Sequence, residues 1–334
     1  MNKSQTVHVA PEALILDSFF AEHRSAIEQT GEGLLDSFER FGCAVIKLGR
    51  TERMFVERTI AASKTFFALP DSLKRQYTAH KPGASGLTVV EARNRSGFSS
   101  AAMQHEFWTI NRETASCAQN SEYYSKENLW PKEVVGFQHL AESLYQSIDV
   151  FTVSVLRALA MGLGAPEGHF SPMLIDGICS MRLRRRPPQP AGGARRAKSQ
   201  CEYGLLAFLL GAGGSPITVV HRKSRKRIML TLKADEALVV PGEVMQLITS
   251  DRITASVYAY DRIDAPEYPI ECRFAGNDAV RMPLLQPAAA SRLLKFDANY
   301  ALMTPAEFAI VRHELMDFNA DYHHFDDSPG CDVA

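Results

Sequence analysis

Two arginines at alternating positions are the first residues of this chain whose types and spacing could do chemistry. Arg184 and Arg186 lie in the run Met181–Pro188, just before a pair of prolines. Because side chains alternate along a strand, these two guanidinium groups would share one face. They could bind an anionic substrate through forked hydrogen bonds, or pair with carboxylates of the protein in a buried network. The residues leave both interpretations open.

Histidines and cysteines, the usual metal ligands, lack the spacing of a metal site. The six cysteines contain no C-x-x-C pair, which argues against a zinc site or a disulfide framework and favours a reducing compartment. His105, His139 and the pair His323–His324 likewise have no second ligand at metal-site spacing. We expect no bound metal.

Composition excludes several classes of partner. The chain has 334 residues, 46% of them hydrophobic, and a formal net charge of -1, so it can bury a large core and offers no general attraction to nucleic acid or membrane surfaces. The polar start, Met1–Pro11, lacks the apolar stretch of a secretory signal. We therefore expect a cytoplasmic protein, and no segment as long as a membrane span.

The elements that must position the arginines are mainly short strands. From Ile178 to Phe274, short apolar or alternating runs are separated by Gly and Pro, which predicts a barrel or double sheet of antiparallel strands. A long helix is predicted over about 134–163, where apolar residues recur every three or four positions. A last helix is predicted from Thr304 to Phe318, with a capping box formed by Thr304 and Glu307.

Four short motifs in this order resemble the isopenicillin N synthase-like branch of the iron(II)- and 2-oxoglutarate-dependent dioxygenases. They are Phe66–Pro70, Asn128–Pro131, Gly204–Leu206 and Pro241–Gly242. The resemblance implies an α+β fold, a double-stranded β-helix (jelly roll) flanked by helices. It also suggests one structural unit with an N-terminal region (1–100), a jelly-roll core (101–290) and a C-terminal helix and tail (291–334).

The iron-binding positions of that family carry other residues here. Aligning Gly204–Leu206 with the family's Gly-Leu-Leu places Gln200 and Glu202 at the His-x-Asp pair, and Tyr258 falls at the distal histidine. Iron(II) in this family needs two histidines and a carboxylate. We therefore predict that the site holds no iron and that the protein uses no cofactor. His221, in a basic run that aligns with a hairpin tip, is expected to be solvated.

The co-substrate motif has changed as well. Glu267–Pro269 aligns with the Arg-x-Ser that clamps the far carboxylate of 2-oxoglutarate, while Arg184 and Arg186 take the places of an Asn-x-Tyr that lines the same pocket. The arginines would pair with Glu202 and Glu267 in a closed network, or they would hold an anionic ligand.

These features predict a metal-independent, redox-neutral enzyme: a cyclase, isomerase, condensing enzyme or lyase acting on a small, anionic biosynthetic intermediate. Catalytic acid–base roles are assigned to Glu202, Tyr258 and Glu267, and substrate binding to Arg184, Arg186 and Gln200. The alternatives are a non-catalytic ligand-binding protein and a true iron oxygenase with atypical ligands. No nucleic-acid or membrane partner is expected.

Overall fold

The computed structural model describes residues 11–81, 83–90, 105–113, 127–188, 200–211, 214–221, 224–261, 263–285, 303–305 and 307–308. The strands are β1 (Ala13–Ile15), β2 (Ala44–Lys47), β3 (Gly86–Val90), β4 (His105–Asn111), β5 (Ile178–Arg185), β6 (Gln200–Cys201), β7 (Leu206–Leu210), β8 (Ile217–Val220), β9 (Arg227–Leu230), β10 (Glu236–Pro241), β11 (Val257–Tyr260) and β12 (Ile270–Gly276). The helices are α1 (Arg24–Phe41), α2 (Arg50–Phe67), α3 (Asp71–Lys74), α4 (Phe137–Gly162), α5 (Ser171–Leu174) and α6 (Glu243–Ile248).

The strands form two sheets that face each other. One sheet has the order β1-β2-β10-β7-β12-β5-β4-β3 and the other β6-β11-β8-β9; the neighbours are antiparallel except for the parallel pair β1 and β2. This arrangement with helices outside confirms the predicted α+β jelly roll. The larger sheet also includes β1, β2 and β3, which precede the predicted core range 101–290.

Two apolar clusters hold these layers together. The larger one lies between the big sheet and helices α1, α2 and α4, and includes the fully buried rings of Phe151 and Phe208, whose centroids are 5.4 Å apart. The smaller one lies between the two sheets and takes Leu209, Val219 and Tyr258 from three different strands. Alternate residues of β2, β7 and β10 therefore serve different cores.

The long central helix is confirmed over Phe137–Gly162, within the predicted range 134–163. By length and composition α4 could cross a membrane, so the expectation that no segment reaches such a length is wrong. The apolar residues of α4 are explained by packing inside the protein rather than by a membrane. In its most apolar stretch 56% is buried, and the helix packs against α1 and α2. A buried core helix meets the same compositional test as a membrane span.

Two glycines fix the turn that carries Glu202. A Cβ atom on Gly204 would lie 2.3 Å from the carbonyl oxygen of Phe274, and one on Gly242 would lie 2.1 Å from that of Gly204. The backbone N–H of Glu243 donates to the carbonyl of Glu202 at 2.9 Å. Close backbone packing thus explains why both motifs contain glycine.

The predicted C-terminal capping box is present in the described residues. The backbone N–H of Thr304 donates to Glu307 Oε2 at 2.8 Å, and the N–H of Glu307 donates to Thr304 Oγ1 at 3.3 Å. The rest of the predicted helix lies outside the described residues.

The contact between α1 and α4 predicts a contrast between two glycines of one helix. A Cβ on Gly31 would lie 1.9 Å from the carbonyl oxygen of Ala158, whereas one on Gly33 would meet only Leu14 Cδ2 at 3.4 Å. We expect Gly31→Ala to lower the free energy of unfolding by about 1–3 kcal/mol because the helices must separate. Gly33→Ala should raise it by about 0.5–1 kcal/mol. Urea denaturation of both variants measures the difference, and equal effects would contradict the packing described.

Candidate functional site

The inner face of β5 carries the arginines. Met181 and Leu183 are buried on the helix side of the big sheet, so Arg182 and Arg184 project between the two sheets. The neighbouring strand β12 places Glu271 directly opposite Arg182. Arg184 and the following Arg186 thus share a face, and charged residues of β12 lie beside them.

Arg273, on β12, lies among Gln200, Glu202 and Tyr258, the side chains that the family resemblance aligns with iron ligands. Its Nε atom is 3.1 Å from Glu202 Oε2, and its Nη2 atom donates to Gln200 Oε1 at 3.2 Å. Nη2 also donates to Glu271 Oε2 at 2.8 Å. A guanidinium group therefore binds the oxygen atoms that these side chains offer.

Tyr258 completes this group of contacts. Its hydroxyl donates to Glu202 Oε1 at 2.6 Å, and the residue is fully buried. Burial, together with the negative charge of Glu202, holds the pKa of Tyr258 well above its ordinary value, while Arg273 acts in the opposite direction. The phenol is thus a proton donor that anchors Glu202.

Glu271 is a fully buried carboxylate bound by two arginines. Its Oε1 atom accepts from Arg184 Nη1 and from the hydroxyl of Tyr260, the latter at 3.2 Å, and its Oε2 atom accepts from Arg273. Burial by itself would raise the pKa of Glu271, but the charges of Arg184 and Arg273 outweigh it and lower the pKa to about 2. Glu271 is therefore ionised at neutral pH.

Arg186 and Glu267 form a second ion pair nearby. Arg186 Nη1 lies 2.7 Å from Glu267 Oε2, its Nη2 donates to the Asp261 carbonyl at 2.7 Å, and its guanidinium lies 4.4 Å from the centre of the Tyr260 ring. Ser215 Oγ also donates to Glu267. Pairing of the arginines with protein carboxylates, one of the two alternatives from the sequence, is thus present for Arg186 and Glu267. Arg184 pairs with Glu271 rather than with Glu202.

Arg182 differs from its neighbours because its side chain has no hydrogen bond among the described residues. Its Nε atom is buried without a hydrogen bond, and its guanidinium lies 4.8 Å from the centre of the Phe107 ring on β4. Burial and repulsion by Arg273 lower the pKa of Arg182 to about 10. It therefore keeps its positive charge at neutral pH.

Among the predicted site residues, the structure brings Glu202 and Tyr258 into direct contact and links Gln200 to Glu202 through Arg273. Glu267 bonds Arg186 and Ser215 instead. Four residues of this site were not predicted from the sequence: Arg182, Tyr260, Glu271 and Arg273. Strand alternation could have found three of them, since Arg182 is two residues from Arg184, and Glu271 and Arg273 continue the spacing of Glu267.

The histidines bring one correction. His221 is only 4% exposed and its Nδ1 atom is 2.6 Å from Ser224 Oγ, so the predicted solvated position is wrong. It packs under the turn at Gly42 instead. His105 lies on the inner face of β4, with a buried Nδ1 atom that has no hydrogen bond. Burial and the charges of Arg184 and Arg186 lower the pKa of His105. His323 and His324 lie outside the described residues.

The donor set does not fit iron(II). In the part of the chain that the structure describes, no three His, Cys, Asp or Glu side chains cluster as a metal site. Gln200 and a protonated Tyr258 are poor substitutes for histidine, and Glu202 is already bound by Arg273. A metal ion at these oxygens would lie against a guanidinium group, so electrostatic repulsion opposes it.

Sequence comparison finds oxidative enzymes. Residues 15–133 match the family model described as "non-haem dioxygenase in morphine synthesis N-terminal". A 2-oxoglutarate-dependent dioxygenase, imqE of Aspergillus flavus, is 26% identical over 217 residues, 55% of this chain and 58% of that protein. The chain thus spans little more than half of that relative. The 2-oxoglutarate-Fe(II) type oxidoreductase hxnY of Emericella nidulans is 22% identical over 80% of both chains.

Solved structures share the fold over nearly the whole chain. A 2OG-Fe(II) oxygenase family protein of Caulobacter crescentus superposes with a TM-score of 0.77 at 21% identity, covering 92% of this chain and 99% of that one. A Neurospora crassa protein, solved in complex with alpha-KG and thymine, has a TM-score of 0.74 at 18% identity, covering 91% and 96%.

These relatives overturn one prediction from the sequence. Proteins similar to this chain are named as 2-oxoglutarate-dependent dioxygenases or oxidoreductases, which favours oxidative chemistry. The prediction of a metal-independent, redox-neutral enzyme is therefore wrong. The prediction rested on the absence of the family's iron ligands from the sequence, and the absence of metal ligands does not by itself indicate a new, redox-neutral reaction. The individual roles of Glu202, Tyr258 and Glu267 stay predictions.

The buried position of Glu271 predicts an unusual dependence of stability on pH. Its pKa is about 2 in the folded chain against an ordinary 4.5, so the unfolded chain binds more protons and stability should fall as the pH drops from about 4.5 to 2. Glu271→Gln should lose about 3 kcal/mol at neutral pH because Arg184 and Arg273 lose their shared partner, and its stability should fall less steeply in that acid range.

Urea denaturation at several pH values measures both effects. Glu57→Gln is the control, since Glu57 forms an exposed pair with Arg53 at 2.8 Å, and should change stability by less than about 1 kcal/mol. Parallel pH profiles for wild type and Glu271→Gln would show that Glu271 is not held ionised by its neighbours.

Proposed function

Because the chain is a member of the iron(II)- and 2-oxoglutarate-dependent dioxygenase family, we propose that it binds a small anionic molecule between the two sheets of its jelly roll. Arg182 would hold the anionic group. The Neurospora crassa protein of similar fold is described in complexes with alpha-KG, thymine or 5-formyluracil, which supports a small molecule as the ligand class. The anionic character comes from the residues of this chain.

The observation that carries this proposal is the pairing of charges on the inner face. The ion pairs described there join Arg184 to Glu271, Arg186 to Glu267 and Arg273 to Glu202. Arg182 forms no ion pair of its own among the described residues, although the charges of Glu271, directly opposite on β12, and of Glu202 act on it. A buried guanidinium loses hydration, and a charge-assisted hydrogen bond to a ligand carboxylate would compensate that loss.

The surroundings of Arg182 favour a ligand with a flat or apolar body. The Phe107 ring lies under its guanidinium, and His105, two residues before Phe107, offers a ring nitrogen with no hydrogen bond in the described structure. With its pKa lowered, His105 is neutral at neutral pH and can donate or accept a hydrogen bond. An anionic group at Arg182 and a polar group at His105 would orient such a molecule along β4.

Iron-dependent oxidation is the second candidate, and the names of the relatives favour it. It requires a metal to be held by side chains other than the guanidinium-bound set at Gln200, Glu202 and Tyr258. The donor chemistry at these positions supports ligand binding better than oxidation.

Binding of carboxylates tests the first candidate. We expect one or more of 2-oxoglutarate, succinate and benzoate to bind the wild-type chain in calorimetric titration. Arg182→Met should weaken that binding by about 2 kcal/mol because one partner of a buried charge-assisted hydrogen bond is lost. Arg185→Met is the matched control: Arg185 lies three residues further along β5 and pairs with Glu106 on the opposite face, so affinity should not change. Equal affinities of the two variants would refute the role of Arg182.

Metal analysis separates the two candidates. Protein purified without chelators and reconstituted anaerobically with Fe²⁺ should carry far less than one iron per chain and form no succinate from 2-oxoglutarate, because Arg273 already binds the oxygens that face the site. One tightly bound iron per chain together with succinate formation would establish oxidation instead. Thymine serves as one trial substrate, since it is bound in a structure of similar fold.

A further inference from the structure

We propose that the guanidinium group of Arg273 is a built-in cation that takes the place of a metal ion in this jelly roll, and that its removal opens a divalent-cation site. The inference does not depend on the proposed ligand. It concerns how the oxygen atoms of Gln200, Glu202 and Glu271 are satisfied.

Oxygen atoms from separate strands converge on this one guanidinium. Nη2 binds Gln200 Oε1 at 3.2 Å and Glu271 Oε2 at 2.8 Å, while Nε lies 3.1 Å from Glu202 Oε2 and 3.3 Å from Glu202 Oε1. Two carboxylates and an amide oxygen are the ligand types that Mg²⁺, Ca²⁺ and Mn²⁺ prefer. Arg273 therefore occupies a position where a hard divalent cation could bind the same oxygen atoms.

The two carboxylates are also held by partners other than Arg273. Glu202 Oε1 accepts from Tyr258 at 2.6 Å, and Glu271 Oε1 accepts from Arg184 and Tyr260. Each carboxylate thus keeps one oxygen anchored and turns the other toward Arg273. If the guanidinium were absent, Glu202 would have no cationic partner among the described side chains.

The charge of Arg273 suits this role. Burial by itself would lower the pKa of Arg273, but Glu202 and Glu271 outweigh it and raise the pKa well above the ordinary value. The side chain is 19% exposed, and the two carboxylates that it binds are 9% and 0% exposed. The cation is therefore permanently charged and covalently attached, unlike a metal ion that exchanges with solution.

Manganese binding tests the inference. Mn²⁺ is titrated into the full chain, and the electron paramagnetic resonance signal of free Mn²⁺ and the melting temperature are both recorded. We expect no saturable binding by wild type or by Arg273→Lys, which keeps a cation. Arg273→Ala should bind one Mn²⁺ per chain, and its melting temperature, lowered by the unbalanced carboxylates, should rise with Mn²⁺ to a plateau.

Three further variants identify the ligands and guard against misfolding. Arg273→Ala/Glu202→Gln should bind Mn²⁺ roughly tenfold more weakly than Arg273→Ala, since one carboxylate ligand is gone. Arg182 could swing toward the exposed carboxylates, so Arg182→Met/Arg273→Ala should bind Mn²⁺ at least as well as Arg273→Ala. Arg273→Gln keeps hydrogen-bond donors without charge, and should show the same gain if Arg273→Ala does not fold.

Two results would overturn the inference. Saturable Mn²⁺ binding by wild type would show that Arg273 does not keep cations out. Variants of Arg273 that fold but bind Mn²⁺ no better than Arg273→Lys would show that the oxygens are not a cation site. Either result leaves the carboxylate-binding proposal standing, because that proposal rests on Arg182 and is measured with a different probe.

Discussion

The cost of burying charge is the constraint on which the inner face of this jelly roll depends. Each ion moved out of water loses several kcal/mol of hydration, which is recovered only with close, hydrogen-bonded partners. Glu271 is fully buried and stays ionised because Arg184 and Arg273 bind its two oxygens. Arg273 then satisfies Glu202, which Tyr258 of the smaller sheet anchors. Removing Glu271 leaves Arg184 without its carboxylate, and removing Arg273 leaves Glu202 without its cation.

The strand register makes this network possible. Side chains alternate between the two cores, so a shift of one residue in β5 or β12 would move the arginines and glutamates onto the helices and the apolar side chains into the network. Antiparallel pairing places Glu271 opposite Arg182, and Arg273 opposite Ser180. The smaller apolar cluster, with residues such as Leu209 and Val219, packs the remainder of the space between the sheets. Apolar packing and ion pairing therefore specify the same register.

The sequence predicts the fold and the face of the arginines better than it predicts their partners. Local patterns suffice for the helix over 137–162, and the glycine motif at Gly204 reports a close backbone contact. The partner of Arg184 depends on which strand lies beside β5, which no local pattern shows. That partner is Glu271, not Glu202. The basic neighbours of His221 predict a solvated side chain, but contacts with a distant turn at Gly42 bury it.

A covalently attached cation changes what the scaffold can do. A metal ion stabilises a site in proportion to its free concentration, whereas Arg273 is present in every folded chain, so this network needs no supply of metal. A guanidinium also differs from iron(II), because it has no open coordination positions at which a co-substrate and oxygen could bind. Gln200, Glu202 and Tyr258, which the family resemblance aligns with metal ligands, thus make structural contacts here. Arg182 stands apart from these pairs, since its buried Nε atom has no hydrogen bond in the described structure and its guanidinium lies beside the Phe107 ring, which is why the proposed recognition of a ligand is assigned to it.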